Sequence, residues 1–305
     1  MSNHIKKNVA TRQVGFLRSP LPVFFVLLWS TGFIVAKFGL PYAPPLTFLL
    51  LRCCLVLLVL VPIVLACKAP WPKGVLLHVA LAGLLLQAGY LGGVWCAIKL
   101  GMPAGVTALI VGMQPILTAA CAPLIGESVR PRQWLGLVFG LSGVALVVVA
   151  KLTVVGLSAQ AIAYCVLALL SITAGTMYQK RFCPRFDLRT GTVIQFGATV
   201  VVLLPLAIGF EQLDLGLSTV TWTPQFVGAL LWSVFALSIG AIFLLFKLLQ
   251  RRDVTEVTSL LYLTPPTTAL MAWLMFGEAF SLLGAAGMLI AVIGVVCVVK
   301  KGNEK

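Results

Sequence analysis

The chain has 305 residues, 60% of them hydrophobic and only 10% charged. A soluble domain carries about a quarter charged residues and at most about half apolar ones, so a water-bathed globule is excluded and lipid must solvate most of the surface. The net charge of +14 does not mark a nucleic-acid binder, because the basic residues sit in short runs between long apolar stretches, as membrane proteins place them.

A basic tail over residues 1–20 holds Lys6, Lys7, Arg12 and Arg18. The apolar segment that follows from Leu21 is longer than a signal-peptide core and leads straight into another, so it reads as a retained first helix. A helix needs about 20 mainly apolar residues to cross the hydrocarbon. Ten such spans are expected, at 21–40, 45–67, 74–99, 103–125, 133–150, 157–178, 190–209, 225–249, 254–276 and 282–299. A short tail over 300–305 follows them. Pro41, Pro44, Pro45, Pro70, Pro72, Pro103, Pro131, Pro184 and Pro224 punctuate the boundaries. The runs are too long, and alternate too little, for barrel strands. The expected fold class is an all-α membrane protein of ten transmembrane helices. The eight cysteines show no metal spacing, and all but Cys183 lie within or at the ends of apolar runs, where cysteine acts as a small hydrophobe. Neither a metal nor a cofactor is expected.

Basic residues set the orientation. Eighteen fall in the two tails and the even-numbered connections, against Lys99 and Lys151 in the odd-numbered ones, with Lys37 and Arg52 left inside spans. The positive-inside rule then places both termini in the cytoplasm, at the cell (inner) membrane.

Residues 104–148 align with 255–299 without a gap. The identical pairs include Thr107/Thr258, Pro115/Pro266, Gly126/Gly277, Glu127/Glu278, Gly136/Gly287 and Gly143/Gly294. Glu127 neighbours Arg130 and Arg132, whereas the connection of Glu278 holds no basic residue, so the two copies are expected to point in opposite directions. The expected organisation is one five-helix half over 21–150 and a second, inverted half over 151–299. Inverted-topology repeats characterise secondary transporters, with the substrate near the midplane between the halves.

The stretch AGVTALIVGMQPILTAACAPLIGESVRPRQWLGLVFGLSGVALVV and its second copy resemble the EamA-type repeat of the drug/metabolite transporter superfamily. The shared features are a helix with a mid-span proline, Gly-Glu at its end and a Gly-rich helix after it. LLWSTGFIVAKFG in the first span, followed by Arg52 in the second, resembles that family's opening. The resemblance implies a ten-helix carrier of small metabolites, often an exporter of amino acids or related compounds.

All eight acidic residues fall in connections, tails or span ends, so no midplane carboxylate is available to bind a coupling proton, and facilitated diffusion or exchange is the simpler mode. His78, near the cytoplasmic end of span three, and Glu256 are the first suspects should protons couple. Arg52 lies about seven residues into span two, roughly 10 Å deep at 1.5 Å per residue. Burying it costs about 2.5–3.5 kcal/mol on insertion scales, so it should face protein or water. It serves as an anion contact, as a gate, or as a structural arginine bonded to backbone carbonyls. Lys37 and Lys99 sit near external ends and are expected to snorkel.

Polar and aromatic residues recur at helical spacing, and such stripes should face neighbours or a cavity rather than lipid. The expected substrate-binding set is Trp29, Ser30, Gln87, Tyr90, Gln114, Tyr164, Trp232 and Tyr262. Pro115, Pro265 and Pro266 are expected to mark a hinge, the binding region or plain kinks. Gly136 and Gly140, aligned with Gly287 and Ala291, allow close helix approach within one chain or between two, so monomer and homodimer both stand.

The function expected is a secondary transporter of small organic metabolites. Proton-coupled efflux is the alternative, a channel or an intramembrane enzyme lesser ones; no metal cluster or catalytic pair appears in the spans. The topology is directly testable. A reporter fused after Gly126 is expected to read cytoplasmic and one after Gly277 external; the same side for both would abolish the inverted arrangement.

Overall fold

Proline and short polar caps set the helix ends. Helices α1 (Pro20–Gly39) and α2 (Pro45–Ala66) both begin on a proline, whose missing N–H costs nothing in a first turn. Helix α3 (Leu76–Lys99) is α-helical at both ends and π-helical over Leu84–Leu91. The next helix is in two pieces, α4a (Ala104–Val111) and α4b (Gln114–Cys121). A short apolar helix, α5 (Trp134–Gly143), follows. Ser158 opens α6 (Ala159–Phe182), its hydroxyl accepting from Ala161 N at 3.1 Å.

Asp187 opens α7 (Leu188–Glu211), accepting from Arg189 N at 2.9 Å. The Arg189 side chain also donates to this carboxylate and holds its carboxyl below the ordinary carboxylate range. Thr223 caps α8 (Pro224–Ala241), which turns π-helical over Trp232–Ala241. Helices α9 (Thr264–Phe276) and α10 (Leu282–Val299) complete the set.

These elements belong to a computed structural model that describes residues 20–121, 134–136, 138–143, 145–146, 158–183, 187–214, 216–241, 244, 264–277 and 282–299. Tyr262, Glu127, Glu256, Glu278 and most of the basic connections lie outside the described residues, as do the side chains of Pro115 and Pro266. Among the described residues there is no strand, and α1, α2, α3, α6, α7 and α8 are long and apolar enough to cross a bilayer. Four shorter apolar helices fall where spans four, five, nine and ten are expected. Large apolar side chains such as Leu58, Val201 and Phe210 project outward, as lipid-facing surfaces require.

The packed pairs carry a symmetry. Helix α1 packs on α8 and α9, and α6 packs on α3 and on both pieces of α4. Helix α2 lies along α7, α2 meets α8 and α3 meets α7, while α4a crosses α9. Exchanging each helix n for n+5 maps this set of pairs onto itself. The pair α5 and α10 belongs to it as well: a Cβ added to Gly294 would sit 2.5 Å from Gly140 N and 2.6 Å from Gly136 O. The small-residue spacing of Gly136 and Gly140 therefore serves a crossing within one chain, against Gly294.

Two features bind the helices end to end. The α2 N-terminus has Pro44 as its cap residue, which offers no side-chain acceptor. The carboxylate of Glu211, at the far end of α7, takes that place. It accepts from Leu46 N at 2.8 Å, from Thr47 N at 2.7 Å and from Thr47 Oγ1 at 2.8 Å. At the opposite end Thr190 Oγ1 donates to the carbonyl of Pro70 at 2.8 Å, tying the start of α7 to the chain beyond α2. Lys99, expected to snorkel, instead donates from Nζ to the carbonyl of Leu40 at 2.5 Å and satisfies the end of α1. Lys37 stands over the Phe276 ring, 4.5 Å from its centroid.

The break in α4 falls at Gly112 and Met113, immediately before Pro115. Proline has no N–H, so the carbonyl of Val111 loses its ordinary i+4 donor. Gly112 is also a point of close approach to α9, since a Cβ there would lie 2.7 Å from Pro265 Cγ.

Two outcomes follow. Glu211→Ala strands the two backbone donors at the α2 N-terminus, and each buried unpaired donor costs about 1–3 kcal/mol. The thermal unfolding midpoint of the detergent-purified protein should drop clearly, with Thr47→Val, which removes one of the three bonds, giving the smaller drop. Pro115→Ala restores the missing N–H, and amide hydrogen exchange around 112–116 should slow.

Candidate functional site

Arg52 sits on the buried face of α2, one turn below Phe48, with a residual exposure of 7%. Its Nε donates to Ser238 Oγ at 3.0 Å, and Ser238 Oγ in turn donates to the carbonyl of Ser233 at 2.9 Å. Both serines lie in the π-helical part of α8, where the wider turn brings a hydroxyl to a carbonyl five residues back. The guanidinium carbon lies 5.9 Å from the centre of the Trp95 ring, and Trp95 is wedged against Phe48 at 4.5 Å. Phe48 also meets Phe226 of α8 edge-on at 5.1 Å. Tyr90, in the π-helical part of α3, packs against the apolar cluster that holds Phe48 and Trp95. Helices α2, α3 and α8 thus enclose one cation between aromatic faces and a single neutral hydroxyl.

That cation lacks a built-in counter-charge among the described residues. The described carboxylates are Asp187, Glu211 and Asp214, and each is engaged elsewhere. Asp187 pairs with Arg189, Glu211 caps α2, and Asp214 accepts from Ser218 N at 2.7 Å.

The other expected site residues divide. Ser30 is fully buried in α1; its hydroxyl meets no partner, while its carbonyl accepts from Thr268 Oγ1 of α9 at 3.4 Å. Gln87, half-buried in the π-helical part of α3, has a carboxamide oxygen that is buried and unpartnered. Thr264, at the start of α9 beside the buried Pro265, carries another orphaned hydroxyl. Ser30, Gln87 and Thr264, on α1, α3 and α9, therefore carry polar atoms without a partner among the described residues.

Gln114 donates from Nε2 to Thr176 Oγ1 at 3.0 Å, joining α4b to α6. Trp29 rests against Phe25, ring centres 5.5 Å apart. Trp232 is 47% exposed and donates from Nε1 to Thr31 Oγ1 at 3.0 Å, so it ties α8 to α1. Tyr164 packs on the apolar cluster of Ala97, Met102, Val106 and Cys165, apart from the Arg52 group.

Sequence reasoning did not single out Trp95, Ser238 or Glu211. Only Glu211 left a signal, in the Pro44-Pro45 pair that starts a helix without an acceptor of its own. Near the start of α3, His78 Nδ1 and the Tyr178 hydroxyl of α6 share a 2.7 Å hydrogen bond, and the His78 ring stacks on Phe182 at 5.1 Å. Among the described residues no group of histidine, cysteine and acidic side chains could hold a metal.

Comparison with known proteins accords with this arrangement. The description of the EamA-like transporter family matches residues 21–149 and again 159–300. The uncharacterized transporter YvbV of Bacillus subtilis is 28% identical, over 93% of this chain and 92% of its own. A protein of Salmonella typhimurium named a probable amino-acid metabolite efflux pump is 25% identical, over 93% and 94%. The uncharacterized inner membrane transporter YedA of Escherichia coli is 28% identical, over 92% of each. A solved crystal structure superposes with a TM-score of 0.63 over 91% of this chain and 94% of its own, and at 21% identity it speaks for the fold alone. The chain is a multi-pass membrane protein, a transporter rather than an enzyme, and it belongs to the EamA-like transporter family.

Proposed function

We propose that the chain is a secondary carrier that exports small organic metabolites, amino acids among them, across the cell inner membrane by alternating access. Its ten helices form two inverted halves, 21–150 and 151–299, with both termini cytoplasmic. The observation that carries this reading is the exchange symmetry of the packing. The principal helix pairs map onto themselves under n to n+5, and both α3 and its counterpart α8 carry a π-helical stretch. Two like halves interleaved around one centre can rock between two equivalent packings. The orphaned polar atoms of Ser30, Gln87 and Thr264 lie on helices of that centre, α1, α3 and α9, and suit a ligand that supplies their partners.

Transport is facilitative or by exchange. Glu211, the membrane helices' described carboxylate, is at the end of α7 and fully used as a cap, and His78 is bonded to Tyr178. The amino-acid efflux function named for the Salmonella protein supports amino acids as a substrate class.

Reconstituted protein should show counterflow: labelled substrate enters faster when unlabelled substrate is inside. Flux should depend little on an imposed pH gradient. Cysteines placed at Gln87, Gln114 and Tyr262 should react with a small aqueous thiol reagent and be protected by substrate, while one at Val138 stays unreactive. A channel would give no counterflow, and uphill accumulation driven by protons alone would replace exchange by proton coupling.

A further inference from the structure

A buried cation with one neutral hydrogen bond is an incomplete arrangement. Desolvating a charge costs several kcal/mol unless an opposite charge and further hydrogen bonds compensate it. Arg52 is 7% exposed, yet among the described residues its compensation amounts to Ser238 Oγ at Nε and the face of Trp95. The Nη edge of the guanidinium meets no acceptor there, and the three described carboxylates are all committed elsewhere. An arginine fork presents two parallel N–H donors, the shape that a carboxylate completes.

Its setting holds the fork still. The bond chain Arg52 Nε to Ser238 Oγ to Ser233 O fixes the Nε end, and Trp95, pinned by Phe48, fixes the plane from one side. The surroundings are aromatic: Trp95 stands against Phe48, and Tyr90 packs on the same cluster. Gln87, three residues before Tyr90 on α3, adds a buried acceptor that waits for a donor.

We propose that Arg52, held by Ser238 and Trp95 at the junction of α2, α3 and α8, is a carboxylate subsite. The substrate is a small molecule with a free carboxylate and an apolar body, and its own charge is the counter-ion that no described residue supplies to Arg52. The proposal deepens the carrier reading and rests on it for the word substrate; the binding step itself does not require transport.

The test uses four probes that share a phenethyl unit and differ in the polar end: 3-phenylpropionate, phenylalanine, 3-phenylpropanamide and 2-phenylethylamine. Thermal unfolding of the purified full-length protein is followed against the concentration of each. The two carboxylates are expected to raise the midpoint, and the amide and the amine to leave it unchanged. Arg52→Gln should weaken the carboxylate response roughly ten- to hundred-fold, the range expected for losing a charge-assisted pair. Arg52→Lys should retain part of it. Ser238→Ala, which frees the Nε end but keeps the charge, should weaken it several-fold, and it decides the matter should Arg52→Gln fail to fold.

An amide that stabilises as well as its acid, a carboxylate response that survives both substitutions, or no response to either carboxylate overturns the subsite. Counterflow separates the two readings. Arg52-dependent binding without counterflow removes the carrier and leaves the subsite; counterflow of the carboxylates undiminished in Arg52→Gln removes the subsite and leaves the carrier.

Discussion

In hydrocarbon no water is available to satisfy a helix end, and each orphaned backbone group costs several kcal/mol. This constraint shapes the molecule wherever a helix starts, stops or breaks. Pro44 and Pro45 start α2 with no side-chain cap, so the chain reaches 164 residues forward in sequence, to Glu211, for an acceptor. The end of α1 takes its donor from Lys99. Because the satisfying groups come from other helices, closing the backbone accounts also fixes which helices lie side by side. The α2–α7 pair joins the two expected halves through such a bond, and the aromatic group of Phe48, Trp95 and Phe226 fills the space beside it.

The same scarcity of polar partners makes the interior charge conspicuous. A soluble protein could leave an arginine partly hydrated at small cost. Here the guanidinium is held among rings and hydroxyls, with the described acids spent on caps and a surface pair. Among the described residues the buried polar atoms left without partners are similarly few: Ser30, Thr118, Thr219 and Thr264 Oγ and Gln87 Oε1.

Much of the architecture was legible in the sequence because apolar run length is a one-dimensional property. Five of the six long helices fall within a few residues of both expected bounds. Helix α8 starts one residue from its expected start, while its expected end at 249 lies outside the described residues. The break in α4 lies beside the proline that announced it. The close approach foreseen from Gly136 and Gly140 exists within the chain, and the structure supplies its partner, Gly294. The site was less legible, since side-chain partnership depends on rotation between helices that no periodicity fixes. Gln114 and Trp232 both look like cavity residues in a helical wheel, and their bonds to Thr176 and Thr31 are partnerships that no periodicity announces. Tyr164 shares a stripe with Tyr178 but sits in an apolar cluster. Trp95 and Phe226 carried no pattern that set them apart from other aromatic residues in apolar runs. The π-helical stretches of α3 and α8 left no compositional trace either.

The double fastening of α2 and α7 has a mechanical consequence. Glu211 clamps the pair at one end and Thr190 at the other, so the two antiparallel helices cannot slide past one another without breaking hydrogen bonds at a terminus. The pair is a strut of fixed length. When the bilayer thickens or thins, a helix pair that cannot slide can meet the mismatch by tilting as a unit. Membrane thickness is thereby coupled to the angle at which α2 presents Arg52 to its neighbours, and lipid chain length becomes a variable to which the protein's interior is mechanically exposed.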